Sequence, residues 1–151
     1  MASAPRTTQP PGNRGAGGVS FSLDKPNPEL FDQTAMKIAE SFDRRKDKSA
    51  QLRRFYDELV MWYEKARQDS SSPQEKDKKV NQILPLVRMM NAKAAYAQGR
   101  DLVSEEFSDK FFSRGLRQIT NYETLENFKL LFEAVLGFRK SMEKRGKGHD
   151  N

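Results

Sequence analysis

The chain has no cysteine and a single histidine. Without thiols there is no disulfide framework, no thiol nucleophile and no cysteine-ligated zinc. The one histidine, His149, stands in a polar C-terminal stretch, which argues against a His-based metal site or a His general base on a rigid scaffold. Long apolar runs are also missing. No segment approaches the ~18 apolar residues of a membrane span, and the N-terminus lacks the apolar core of a signal peptide. The expectation is a soluble, cytoplasmic protein with no membrane association. The glycines near the N-terminus precede no strand–helix unit, so a phosphate-binding loop is not indicated. Candidate serines have no histidine to activate them. The carboxylates of Glu105, Glu106 and Asp109 open a helix, where the helix dipole favours negative charge in any case. No catalytic centre, cofactor or metal is expected.

What the sequence does contain is charge and aromatic volume. Its 151 residues are about the size of one domain. Charged residues make up 32% and hydrophobic residues a low 36%, but ten Phe, four Tyr and one Trp can anchor a compact core. Lys and Arg number 27 against 21 Asp and Glu, a net charge of +6 with a pI near 9.6. Such a surplus favours polyanionic partners, nucleic acid or an anionic membrane, and it also serves plain solubility.

Residues 1–26 hold four Gly and four Pro and show no apolar periodicity. A segment of that kind reads as a disordered arm, unable to offset its ordering entropy by burial. Residues 27–145 read as a single compact five-helix bundle without strands, and 146–151 as a polar tail that frays. The first helix starts at Asn27 as N-cap with Pro28 at its first position, and Phe31, Ala35, Ile38 and Phe42 form its apolar stripe. Ser49 caps the second, with Leu52, Phe55, Tyr56, Leu59, Tyr63 and Ala66 on one face. Ser72 and Pro73 open the third, which buries Val80, Ile83, Leu84, Val87 and Met90. Pro85 sits inside that pattern, so either one kinked helix or two short ones follow, ending at Gly99 as C-cap. Ser104 starts the fourth, with Phe107, Phe111, Phe112, Ile119 and Tyr122 inward, and Gly115 marks a close helix crossing. The fifth buries Leu125, Phe128, Leu131, Phe132, Val135, Phe138 and Met142.

Three basic stripes lie off these apolar faces. Lys48, Arg53 and Arg54 stand at the start of the second helix, where guanidinium groups and a positive helix end together suit phosphate. Lys93, Tyr96 and Arg100 share one face after Pro85, and Tyr96 between two cations suits stacking on a base or ribose. Lys110, Arg114 and Arg117 recur at spacings of four and three on the fourth helix. Any one stripe is ordinarily a solvated charged face. Three on one small domain favour nucleic acid, without choosing RNA over DNA.

The stretches SAQLRRFYDEL (49–59), ILPLVRMMNAKAAYAQGR (83–100) and NFKLLFEAVLGFRK (127–140) resemble the small subunit of the type III-A CRISPR effector, the Csm complex. The middle one is the most specific, with Leu-Pro followed by a Met-rich turn and then Lys-x-x-Tyr-Ala-x-Gly-Arg. Together the resemblance spans roughly residues 30–142, and Asn91 stands where many members carry Pro. It implies a compact helical bundle present in more than one copy, stacked inside a ribonucleoprotein of antiviral defence. It implies contact with guide RNA and target RNA without sequence preference. The large polymerase-type subunit, the backbone subunits and further copies of the chain are the implied protein partners, with the chemistry left to those neighbours. The positions that match the motif are Arg53, Arg54, Lys93, Tyr96 and Arg100; Lys48, Lys110, Arg114 and Arg117 come from helical geometry alone. Competing readings are the small subunit of the sister type III-B complex, a helical DNA-binding regulator, for which a helix–turn–helix pair is hard to find, and a helical adaptor without nucleic acid.

The purified chain incubated with RNA, ATP and divalent cations is therefore expected to leave all of them intact. Turnover that persists through purification and disappears on replacing one internal carboxylate would contradict this.

Overall fold

The structure is a computed structural model that describes the backbone of residues 18–68 and 71–150 and side chains through Glu143. Residues 1–17, most of the expected arm, lie outside the described residues. Everything regular among the described residues is helical. The first rod, α1, joins a π-helical turn, Leu30–Thr34, to an α-helix, Ala35–Ser41. Helix α2 is Ser49–Gln68 and α3 is Pro73–Arg88, continuing after a break at Met89 as Met90–Gly99. Rod α4 strings together Glu105–Phe107, a π segment Ser108–Ser113 and Arg114–Gln118. Helix α5 runs Tyr122–Asp150. This is the all-α, five-helix bundle that periodicity predicts, and the break in α3 falls four residues after Pro85. Proline has no N–H to give, so the bond lost is the one back to Asn81, within the continuous part of the helix, and at the break the Met89 N–H still bonds the Pro85 carbonyl at 3.0 Å. No helix among the described residues is long and apolar enough to cross a membrane.

Phenylalanine fills the centre. Phe107, Phe111 and Phe112 of α4 are fully buried with Phe128 and Phe132 of α5. The Phe111 and Phe132 rings meet edge to face at 5.3 Å, and Phe55 of α2 packs on Phe112 at the same distance. A π turn is wider than an α turn, and it lets the consecutive Phe111 and Phe112 both face inward. Gly115 has the close crossing expected of it. A Cβ there would sit 2.1 Å from Cε1 of Phe128.

Three expectations need correction. In α1 the buried stripe is Leu30, Ala35, Ile38, Ala39 and Phe42, while Phe31 is exposed. The π turn is the reason: it aligns residues five apart, so Leu30 and not Phe31 stacks above Ala35. The expectation that nothing before Asn27 is buried fails for the last part of the arm. Leu23 is fully buried, and Val19 and Phe21 pack against the core. Its backbone is satisfied by side chains: Gln118 accepts from the Leu23 N–H at 2.7 Å, and Asn127 donates to the Leu23 carbonyl at 2.9 Å. One apolar residue in such a segment has no period to reveal it. Last, α5 continues to Asp150 through the stretch expected to fray. Each Gly there costs only about 1 kcal/mol, and a helix already nucleated propagates.

Two charges are buried among the described residues, Asp47 and Arg139. Arg139 on α5 donates to the carbonyls of Ala39, Asp43 and Asp47. Asp47 accepts from the Ser104 N–H at 2.7 Å, from the Ser104 hydroxyl and from the Asp43 N–H at 2.8 Å. Burial pushes the Asp47 carboxyl above its ordinary range against the pull of these donors and of Arg139. Ser104 also accepts from the Phe107 N–H, so one contact ties the loop before α2 to the cap of α4.

Replacing Leu23 by Ala is expected to cost about 2–4 kcal/mol in urea unfolding, as for any fully buried leucine. Gly115→Ala is expected to cost about 1–3 kcal/mol by overpacking against Phe128. An unchanged midpoint for Leu23→Ala would show that residues 18–26 are not part of the core.

Candidate nucleic-acid interface

The loop that leads into α2 sets the geometry of the first stripe. Its sequence, Asp43–Lys48, is charged throughout and folds around its own carboxylates. Asp43 Oδ1 accepts from the N–H groups of Arg45 and Lys46 at 2.7 and 2.9 Å. Those two bonds, Lys46 first and Arg45 second, hold the Asp43 carboxyl below its ordinary value. The tight turn projects Arg44 and Arg45 into solvent. Lys48 follows, also exposed, and its carbonyl receives the first helical N–H of α2, from Leu52, at 3.0 Å.

Two ion pairs reach from α2 and the loop before it to the second half of α3 and its end. Lys93 Nζ donates to both oxygens of Glu58 at 3.0 Å. Lys46, ahead of α2, pairs with Asp101, just past α3, at 3.5 Å. The two helices therefore run antiparallel on one side of the molecule, with Arg54 on one and Tyr96 and Arg100 on the other between the ties. Arg54 is exposed. Tyr96 is 67% exposed, the most of any large apolar or aromatic side chain described. Arg100 Nη1 donates to the Tyr96 hydroxyl at 3.3 Å, and its guanidinium carbon lies 5.8 Å from the ring centre. That stacked pair offers a flat cationic and aromatic surface to solvent.

The end of α3 is built to present this pair. Gly99, expected as the C-cap, lies within the helix. The left-handed residue is Asp101, with φ of 61°, and Leu102 N–H closes the motif on the Ala97 carbonyl at 3.0 Å. A non-glycine there costs roughly 1–2 kcal/mol, and what Asp supplies is the carboxylate that holds Lys46.

Not every expected residue joins this face. Arg53 points the other way, paired with Asp57 at 3.8 Å and lying 5.6 Å from the ring centre of Tyr56, whose hydroxyl reaches Glu133 of α5. The positive end of α2 is not open to phosphate either. Ser49, expected as a cap, donates through its N–H and hydroxyl to Glu143 of α5, at 2.8 Å each. A carboxylate already occupies the site that the helix end provides. The third stripe is separate. Lys110 pairs with Glu106 at 3.6 Å, is mostly covered, and has Gly18 of the docked arm against its stem. Arg114 is half-buried and Arg117 exposed. Arg88 closes the end of α4 by donating to the carbonyls of Arg117 and Ile119.

The structure therefore sets Arg54, Lys93, Tyr96 and Arg100 about the two ion pairs, adds Lys46, leaves Lys48 exposed ahead of α2, and leaves Arg53, Lys110, Arg114 and Arg117 outside this face. Glu58 and Asp101 are the organising residues that sequence reasoning missed. Glu58, four residues after Arg54, is the one signal that could have revealed a cross-helix partner. Among the described residues no cluster of His, Cys, Asp or Glu could hold a metal ion.

Removing the Glu58 charge, as Glu58→Gln, is expected to strengthen binding of a polyanion two- to threefold. The half-exposed pair with Lys93 is worth about 0.5 kcal/mol, so stability should barely change. Weaker binding in a competitive heparin or RNA titration would show that Glu58 does more to position Lys93 than to neutralise it.

The family model described as Csm2 Type III-A matches residues 25–145 of the chain. No curated protein and no solved structure matches.

Proposed function

The chain belongs to the Csm2 Type III-A family, structural small subunits of the type III-A CRISPR effector, and from that premise we propose that it is a non-catalytic subunit that holds RNA in that complex. Family membership places it in an assembly with other Csm subunits. The proposal is that in this cytoplasmic ribonucleoprotein it lies against guide RNA and target RNA and grips their backbones without reading sequence. Bond cleavage and synthesis fall to neighbouring subunits.

The observation that carries this reading is the face between α2 and α3. Its cations come from two helices and a loop, and each helix keeps them at a fixed separation. Lys46, Lys48, Arg54, Lys93 and Arg100 can each meet a phosphate, while Arg100 stacked on Tyr96 can take a ribose or a base edge-on without selecting its identity. Glu58 and Asp101 hold two of the lysines extended before RNA arrives, which lowers the entropy lost on binding. One subunit covers few phosphates, so weak contacts become useful when aligned with others in an assembly.

Arg54→Ala, Lys93→Ala and Arg100→Ala are each expected to weaken RNA binding equally across unrelated sequences. Each should lower the slope of log K against log salt by about 0.7, the value for one phosphate on a single strand. Arg53→Ala and Lys110→Ala, outside the face, should leave the slope unchanged. A slope that falls for Lys110→Ala and not for Arg54→Ala would move the interface to α4. A strong preference for one base sequence would contradict backbone contact altogether.

A further inference from the structure

The loop from Asp43 to Lys48 spends its carboxylates inward and turns its cations outward. Four of its six residues are basic. Asp43 accepts from the Arg45 and Lys46 N–H groups, Asp47 is buried against Ser104, and Lys46 is held by Asp101 from beyond α3. Arg44, Arg45 and Lys48 are exposed, and among the described residues no hydrogen bond or ion pair engages their side chains. The amides are closed as well. The N–H groups of Asp43, Arg45, Lys46, Asp47 and Lys48 all find acceptors within the loop. An anion arriving here therefore meets guanidinium and ammonium groups, not a nest of free amides.

Solubility needs charge but not order, and this loop is ordered from the interior. Buried Arg139 donates to the carbonyls of Asp43 and Asp47, which bracket Arg44 and Arg45 in the chain. Burying a guanidinium is costly unless such bonds are met, so the loop backbone is held where those two arginines leave it. The class of partner follows from what the loop presents. A guanidinium fork matches two phosphate oxygens through parallel N–H bonds. A protein partner would need a desolvated apolar centre, and the loop has no apolar side chain. Its place fits as well. Arg45 precedes Lys46 and Arg100 precedes Asp101, so both arginines stand one residue, about 3.8 Å between Cα atoms, from the partners of one ion pair.

We propose that Arg44 and Arg45 are phosphate contacts of bound RNA, extending the face between α2 and α3 over the loop that leads into α2. The proposal rests on the RNA-holding reading of this chain and adds two ligands that no helical stripe reveals, because both lie between helices.

The test titrates the full chain, unaltered and with Arg44→Ala and Arg45→Ala combined, with oligouridylate and with a mixed-sequence RNA of equal length over a salt series. The double variant should lower the slope of log K against log salt by about 1.4 with both RNAs, twice the value for one phosphate on a single strand. Its helical content and thermal midpoint should not move, because both side chains are exposed and unpaired. An unchanged slope, with that of Arg54→Ala and Arg100→Ala lowered, would overturn the inference and leave the face between α2 and α3 standing. The reverse pattern would uphold the loop as a phosphate site and reject that face. Unchanged slopes in all of these variants would reject both. A double variant that keeps its slope but enters the complex poorly would mark the loop as a protein contact, which overturns the inference as well.

Discussion

The loop between α1 and α2 has no apolar side chain from Asp43 to Lys48, and it is fixed by a buried guanidinium. Arg139 reaches from α5 to three carbonyls, one at the end of α1 and two in the loop, while Asp47 turns inward to the cap of α4. A buried charge is costly unless its hydrogen bonds are met, and here each neighbouring element contributes a partner. The dependence is broad. With Arg139 in place, the loop exits at Lys46 and Lys48, α2 begins under Glu143, and Asp101 finds Lys46. Remove it and three carbonyls lose their donor, while the Asp47 carboxylate keeps its bonds from Ser104 and Asp43 but loses the nearby positive charge. The basic face is therefore positioned by a polar contact in the interior, and the phenylalanine core supplies the rigidity behind it.

That arrangement explains why a face with several cations can coexist with carboxylates among them. At the surface each ion pair contributes little to stability. Its effect is local: Glu58 holds Lys93 extended across from α2, and Asp101 does the same for Lys46. Arg100 is held by its own stack on Tyr96. The surface is thus ordered before any partner arrives, at the cost of some net charge.

Much of this was legible from residue spacing. The five rods, the Ser72 and Ser104 caps and the crossing at Gly115 all follow from local rules that act within a few residues. The misses share a cause. Leu30 replaced Phe31 because a π turn changes the period, and no residue type announces a π turn. Leu23 and Arg139 are held by partners about a hundred residues away, which periodicity cannot see. Ser49 looked like a cap, and became a donor to Glu143 for the same reason. Among the candidate contacts, Lys93, Tyr96 and Arg100 kept their shared face because one helix enforces it. Arg53 and Arg54 separated because adjacent helical residues point about 100° apart, and only the neighbouring helices decide which of the two is useful. The grouping of Arg54 with α3 depends on tertiary pairing through Glu58.

The most direct test of the RNA face is ultraviolet cross-linking of the RNA-loaded complex, with adducts mapped by mass spectrometry on peptides of this chain. Adducts at Tyr96 and within residues 46–54 and 93–100 are expected, whichever sequence the RNA carries. Adducts confined to residues 110–117, or an adduct pattern that changes with RNA sequence, would contradict a backbone-gripping face between α2 and α3.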